Sequence, residues 1–224
     1  MTASPAVTTP SSLLRLLLLS STALPIGAYC YSQGVESAIE TGLIRDEAST
    51  LAFLSDVLAL MLQRYELPML AQMMQAADDQ AVFMALAQRY AASRESRELL
   101  AETRQLAFSL NAWITGVLGQ PVLVDKQYGF LPVYARLTAQ LGLPVAECLS
   151  AYAFTVLENQ VLAVVKTVPL GQMSGQRVLW ALQAQIENAV EQVLQDDRLL
   201  SNSLPNLAML SMGHERQYSR LFRS

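Results

Sequence analysis

The chain has 224 residues, a formal net charge of −4 from 15 basic and 19 acidic side chains, and a single histidine. This argues against a nucleic-acid partner, which would need a basic footprint. Charged residues make up 15% and apolar residues 52%, against about 25% charge in an ordinary soluble domain. The chain is therefore either a membrane protein or one with more apolar surface than it can bury alone.

Residues 1–10, rich in Thr, Ala, Ser and Pro, read as a flexible tail ahead of a domain over 11–201. A helix is expected from Ser11 to about Thr22, capped by Ser11 or Ser12 and ended by Leu24-Pro25-Ile26-Gly27. The run Leu16–Leu19 imitates a signal peptide. However, residues 2–12 carry no Lys or Arg, Arg15 interrupts the apolar run, and Tyr29 is too bulky to precede a cleavage site. A cytoplasmic location is expected. Two stretches carry no charge for 20 residues, Leu16 to Val35 and Gln105 to Val124, but each has only 12 apolar residues. A spanning helix wants about 20 predominantly apolar ones, so no membrane association is expected.

A second helix is expected from Ser32 to Thr41, stopping at Gly42. Asp46 caps a third, with Leu51, Leu54, Leu58, Met61 and Leu62 at helical spacing. Pro68 sits near the start of the next piece, where a missing N–H costs little. Asp78 or Asp79 caps another that ends near Tyr90. Ser93 is expected to cap a long helix with Leu99, Leu100, Leu106, Leu110, Ile114 and Val117 along its stripe, closed by Gly119-Gln120-Pro121. Val122-Leu123-Val124 reads as an extended loop, because no second strand is available to pair with it. Helices follow over roughly 127–141 and 145–167, broken at Gly142 and Pro144. Pro169, Gly171 and Gly175 form the next break. The last helix covers about Gln176 to Leu194, with Val178, Leu182, Ile186, Ala189 and Val193 inward and Gln183, Glu187 and Glu191 in water. The pattern predicts one all-α domain of eight to ten helices packed as an irregular bundle, followed by a partner-binding tail over 202–224.

Catalytic constellations are missing. There is no phosphate loop and no dinucleotide fingerprint. His214-Glu215 begins like a zinc-protease motif, but Tyr218 stands where the second histidine belongs. Cys30, Cys148 and His214 lack ligand spacing, and the two cysteines make no disulfide framework. No enzyme, metal site or cofactor is expected. Met69, Met73 and Met74 read as core packing. Glu158, Asn159, Gln160 and Lys166 interrupt an apolar helix, as either its wet face or a patch kept for a partner. Arg94 and Arg97 oppose the helix dipole at a first turn, a weak sign of a docking surface. The segment His214–Ser224 interleaves three arginines with Tyr218, Leu221 and Phe222. Arginine and aromatic side chains dominate binding hot spots.

Four segments in order carry a family resemblance. Leu24-Pro25-Ile26-Gly27-Ala28-Tyr29-Cys30-Tyr31-Ser32-Gln33-Gly34-Val35-Glu36 resembles the N-terminal signature of the UreF urease accessory proteins. Ser93-Arg94-Glu95-Ser96-Arg97-Glu98-Leu99 resembles their central motif. Lys166 to Gln172 with Gly175-Gln176 is a third match, and His214-Glu215 with Tyr218 to Ser224 is similar to their C-terminal end. Cys30 stands where Ser or Thr is common in the family.

The resemblance implies an all-α homodimer, not itself an enzyme, that joins the UreD (UreH) accessory protein and then the GTPase UreG on apo-urease to support nickel delivery and active-site maturation. It implies that Tyr218, Arg220, Leu221, Phe222 and Arg223 meet the UreD-type partner. Tyr29, Lys166 and Arg220 are implied to meet the UreG-type partner, with recruitment or gating favoured over an arginine finger. Without the resemblance, the residues support a generic helical adaptor that docks through its aromatic-basic tail. A helical hydrolase or metal enzyme has the least support.

Overall fold

Ala and Leu dominate the chain and β-branched runs are short, so helix formation meets little local resistance. The computed structural model describes residues 10–198 except Glu95, Pro169 and Asp197, and the backbone only of Pro10 and Tyr29. Its α-helices are α1 (Pro10–Leu19), α2 (Val35–Glu40), α3 (Glu47–Asp56), α4 (Leu67–Gln75), α5 (Gln80–Ala92), α6 (Arg97–Trp113), α7 (Phe130–Gln140), α8 (Val145–Thr167) and α9 (Gln172–Gln195). A π-helical segment, Val57–Glu66, joins α3 to α4 without a break, and a second one, Ile114–Leu118, extends α6. With α3 and α4 joined, eight helices make up an all-α domain, and no strand occurs among the described residues.

Several predicted signals act as expected. Asp46 accepts from the Ser49 amide at 2.8 Å while the Ser49 hydroxyl accepts from the Asp46 amide at 3.0 Å, a reciprocal cap. Asp79 accepts from the amides of Ala81 and Val82. The stretch Val122–Val124 is a loop with bends at Leu123 and Val124, and it is not unpaired. The Asn111 side chain donates to the Val124 carbonyl at 2.9 Å and accepts from the Leu123 amide at 3.2 Å, supplying the contacts a neighbouring strand would give.

Other boundaries move, each for a local reason. The first helix stops at Leu19, and the second starts at Val35 instead of Ser32 because Gln33 and Gly34 are both left-handed. Pro68 is at the start of α4, as expected, but no break precedes it. It lies inside the continuous α3–α4 rod, where the wider π turns upstream displace the carbonyl that a proline ring would otherwise strike. Ser93 ends α5, donating to the Tyr90 carbonyl at 2.8 Å, and Ser96 caps α6 by accepting from the Leu99 amide at 3.1 Å. On that helix Val117, expected inward, is exposed. The helix expected over 127–141 begins at Phe130, after a short 3-10 turn at Lys126–Tyr128.

Helix α8 runs through the centre, with α9 packed along it and α2 and the α3–α4 rod also against it, while α7 packs on α4 and α6. The expected stripe of α9 is buried at every position, and Gln183, Glu187 and Glu191 face water. Met69, Met73 and Met74 are core residues, and Cys148 is fully buried. Burial pushes the Cys148 thiol up to about 12, which leaves it an inert apolar filler. Among the described residues, α8 is long and apolar enough to cross a membrane, a candidate that the charge-free stretches did not reveal. Half of its apolar window is buried inside the fold, as in a core helix. Helix α1 is different: Leu16 and Leu19 are buried while Leu13, Leu14, Leu17 and Leu18 are exposed.

Gly175 was expected to break the chain, yet it lies buried in α9. A Cβ there would fall 2.8 Å from Val165 Cγ2 and 3.2 Å from Val161 Cγ1 on α8. Both are stiff β-branched side chains on a helix, so α9 must move outward to admit one. Gly175→Ala is predicted to destabilise the fold by about 1–3 kcal/mol, measured by urea unfolding.

Candidate functional site

Two of the sequence signatures meet around one cavity of about 110 Å³. The N-terminal signature contributes Ile26, Ala28, Tyr31 and Gln33, the central motif contributes Ser93, Arg94 and Leu99, and α8 contributes Tyr152, Asn159 and Gln160. One end of the cavity is a charged cluster. The π segment ends at Glu66, whose side chain is 5% exposed, and Arg94 reaches it from the α5–α6 link with its Nη1 2.8 Å from Oε1. Tyr152 on α8 donates to the other oxygen, Oε2, at 2.8 Å. The Arg94 guanidinium also lies over the Tyr90 ring, 4.4 Å from its centre. A buried pair is tolerable only when its remaining polar atoms are satisfied. Here both carboxylate oxygens are used, and the Arg94 Nε is left without a partner.

Burial, opposed by the neighbouring Arg94 charge, pushes the Tyr90 phenol up to about 12. Burial and the Glu66 carboxylate raise that of Tyr152 well above its ordinary value. Both therefore stay protonated, and Tyr152 is a donor to Glu66. The Tyr90 hydroxyl pairs with Thr103 Oγ1 at 3.3 Å, and Thr103 accepts from the Phe130 amide at 2.9 Å. Gly129, left-handed at φ 86°, lets that amide approach: a Cβ on it would sit 2.8 Å from Thr103 Oγ1.

The other end of the cavity is neutral except for Glu102, which is buried. Gln33 donates to Glu102 Oε1 at 2.7 Å and accepts from Gln160 Nε2 at 3.1 Å. The polar interruption of α8 thus serves two purposes. Gln160 is buried in this network, Glu158 and Asn159 are half-buried, and Lys166 is exposed. Burial raises the Glu158 carboxyl.

Arg94, expected as part of a docking surface, is a buried ion-pair member, while Arg97 is exposed. Of the expected partner-binding residues, Lys166 lies on the surface of α8, and Tyr29 is in the 3-10 turn Ala28–Cys30, with only its backbone described. Tyr218, Arg220, Leu221, Phe222 and Arg223 lie outside the described residues, as does His214. Among the described residues, no three His, Cys, Asp or Glu side chains are grouped to hold a metal ion. Sequence reasoning missed Glu66 and Glu102. Glu102 was legible as a charge four residues before Leu106 on the α6 stripe. Glu66 was legible as a carboxylate beside the apolar run Leu67–Leu70.

A comparison with known proteins agrees with the resemblance. Residues 44–183 match the UreF family model. A urease accessory protein UreF of Janthinobacterium sp. is 42% identical, with 95% of this chain and 98% of the relative aligned.

The chain belongs to the UreF family.

A second UreF relative, from Nitrosospira multiformis, is 44% identical over the same two shares of length. A bifunctional urease accessory protein UreEF of Bordetella bronchiseptica is 43% identical across 99% of this chain, which spans 55% of that longer protein. The cavity walls from Met61 to Gln160 fall within the span matched to the UreF model, and the signature around Gln33 precedes it.

The Glu66–Arg94 pair gives a stability test. Glu66→Ala leaves a buried, uncompensated guanidinium and is predicted to cost about 3–5 kcal/mol. Glu66→Gln combined with Arg94→Met removes both charges and keeps an acceptor for Tyr152. That double variant should unfold in urea at a higher concentration than Glu66→Ala alone.

Proposed function

We propose that this UreF-family chain is a urease accessory protein that bridges the UreD (UreH) accessory protein and the GTPase UreG on apo-urease, supporting nickel delivery and maturation of the urease active site. It works as a cytoplasmic homodimer, catalyses no reaction itself, and recruits or gates the partner's GTP hydrolysis. The observation that carries this reading is near end-to-end similarity, at 42–44% identity, to proteins named urease accessory protein UreF. The exposed leucines of α1 support a docking role, because contiguous apolar surface on a folded chain marks an interaction site.

In this reading Tyr218, Arg220, Leu221, Phe222 and Arg223 dock on the UreD-type partner. The segment carries three arginines and one glutamate between residues 214 and 224, on an otherwise acidic chain, and the planar guanidinium fork suits a carboxylate on the partner. Tyr29, Lys166 and Arg220 meet the UreG-type partner. The exposure of Lys166 supports its place in that set.

Co-purification with UreD-type and UreG-type proteins, with and without GTP, tests the bridge. A generic adaptor would form neither complex. Deleting residues 214–224 is expected to preserve helical content by circular dichroism and to abolish the UreD-type complex. Full binding by the truncated chain, or its unfolding, would count against the tail assignment. Tyr29→Ala with Arg220→Ala is expected to spare folding and lower nickel incorporation into urease in a reconstituted system, and unchanged activation would overturn the GTPase-facing assignment.

A further inference from the structure

Among the described residues, Gln33 is the one non-glycine with a positive φ, at 51°. A side chain in this left-handed region meets its own backbone, and such residues persist only where the surroundings over-determine them. The surroundings here are explicit. The Gln33 amide donates to Glu102 on α6 at 2.7 Å and accepts from Gln160 on α8 at 3.1 Å. Both partners are buried, at 4% and 1% exposure. One side chain thus ties the N-terminal signature to two helices that lie 69 and 127 residues away in sequence.

The tie sits beside a short, weakly held turn. Ala28–Cys30 is closed by the Cys30 amide on the Gly27 carbonyl at 3.0 Å and the Tyr31 amide on the Ala28 carbonyl at 3.2 Å. Three residues of 3-10 helix have little stability of their own. On the other side, Gln160 and the exposed Lys166 share α8, with six residues or about 9 Å of helix between them. The turn also packs directly on α8, and the Gln33–Gln160 bond adds a polar tie between the segment bearing residue 29 and the helix bearing residue 166.

We propose that Gln33 is a positioning residue whose amide fixes the turn bearing Tyr29 against α8, so that residues 29 and 166 are presented together to the GTPase partner. This rests on the reading that those two residues meet that partner. The competing role is plain packing, with Tyr31 and Ile26, both buried, holding the segment and the amide adding only general stability. Packing would show itself as a loss shared by the whole fold and by both partners.

The test uses the full chain and three variants. Gln33→Gly removes the amide and the backbone strain together. Gln160→Leu breaks the tie without adding backbone freedom, and the Gln160 Oε1 that it deletes has no partner, so folding should survive. Tyr29→Ala is the comparison. The expected result is at least tenfold faster hydrogen exchange at the Cys30, Tyr31 and Val35 amides in both glutamine variants, with α6 to α9 unchanged. Association with the UreD-type partner should hold, while association with the UreG-type GTPase should fall at least tenfold. Tyr29→Ala should lose the GTPase without faster exchange. Unchanged exchange in Gln160→Leu would overturn the proposal, as would parallel loss of both partners with global loosening. Normal GTPase binding by both glutamine variants, with Tyr29→Ala defective, would overturn the positioning role alone. Normal binding by all three would overturn the partner reading, and the proposal with it.

Discussion

Arg94 and Glu66 are opposite charges held 2.8 Å apart where their side chains are 9% and 5% exposed. Each loses most of its hydration on folding, so each depends on the other and on the groups around them. The consequences spread through the fold. Glu66 must be delivered by the end of the α3–α4 rod, Arg94 by the link between α5 and α6, and Tyr152 by the middle of α8. A slipped packing would separate these groups and leave buried charges unpaired, which disfavours it in a chain whose helices are rich in Ala and Leu. A purely apolar interior of that kind would have many nearly equivalent packings.

The π segments belong to the same constraint. A π turn rotates later side chains relative to an α-helical register. Between Val57 and Glu66 it carries the rod past Pro68 while keeping Leu62, Tyr65 and Glu66 all inward. The second segment, Ile114–Leu118, follows Asn111, whose amide is committed to the loop at Leu123 and Val124. In both places local helical geometry gives way to a buried polar group.

The cavity brings the sequence motifs and their surroundings into one physical picture. Segments that look like separate signatures in the chain, around Gln33 and around Arg94, line the same space. Their polar residues mostly face one another across it and not solvent. Exposed surface among the described residues lies elsewhere, including the outer leucines of α1 and Lys166 near the end of α8. The low charge content that first suggested a membrane protein is consistent with this division. Many of the described apolar side chains form the core, as does half of the apolar window of α8, and the exposed ones include the outer α1 leucines and Trp180, which is 74% exposed.

The sequence by itself determined the helices and their caps at Asp46 and Asp79, the glycine stops at Gly119 and Gly142, and the inward stripe of α9. These follow from spacing and from side chains that act on backbone a few residues away. It also determined the family, because four short motifs in the right order specify more than composition can. It misplaced Ser93, Arg94 and Gly175, and passed over Glu66 and Glu102. Most of those residues take their role from a group remote in the chain: Arg94 from Glu66, Gly175 from Val165 on the adjacent helix, Glu102 from Gln33; Ser93 instead donates to the nearby Tyr90 carbonyl. Periodicity records which face of a helix is apolar, but not what lies opposite it. Only the tertiary structure decided that, since the partner of a buried charge or of a missing Cβ is fixed by how helices pack.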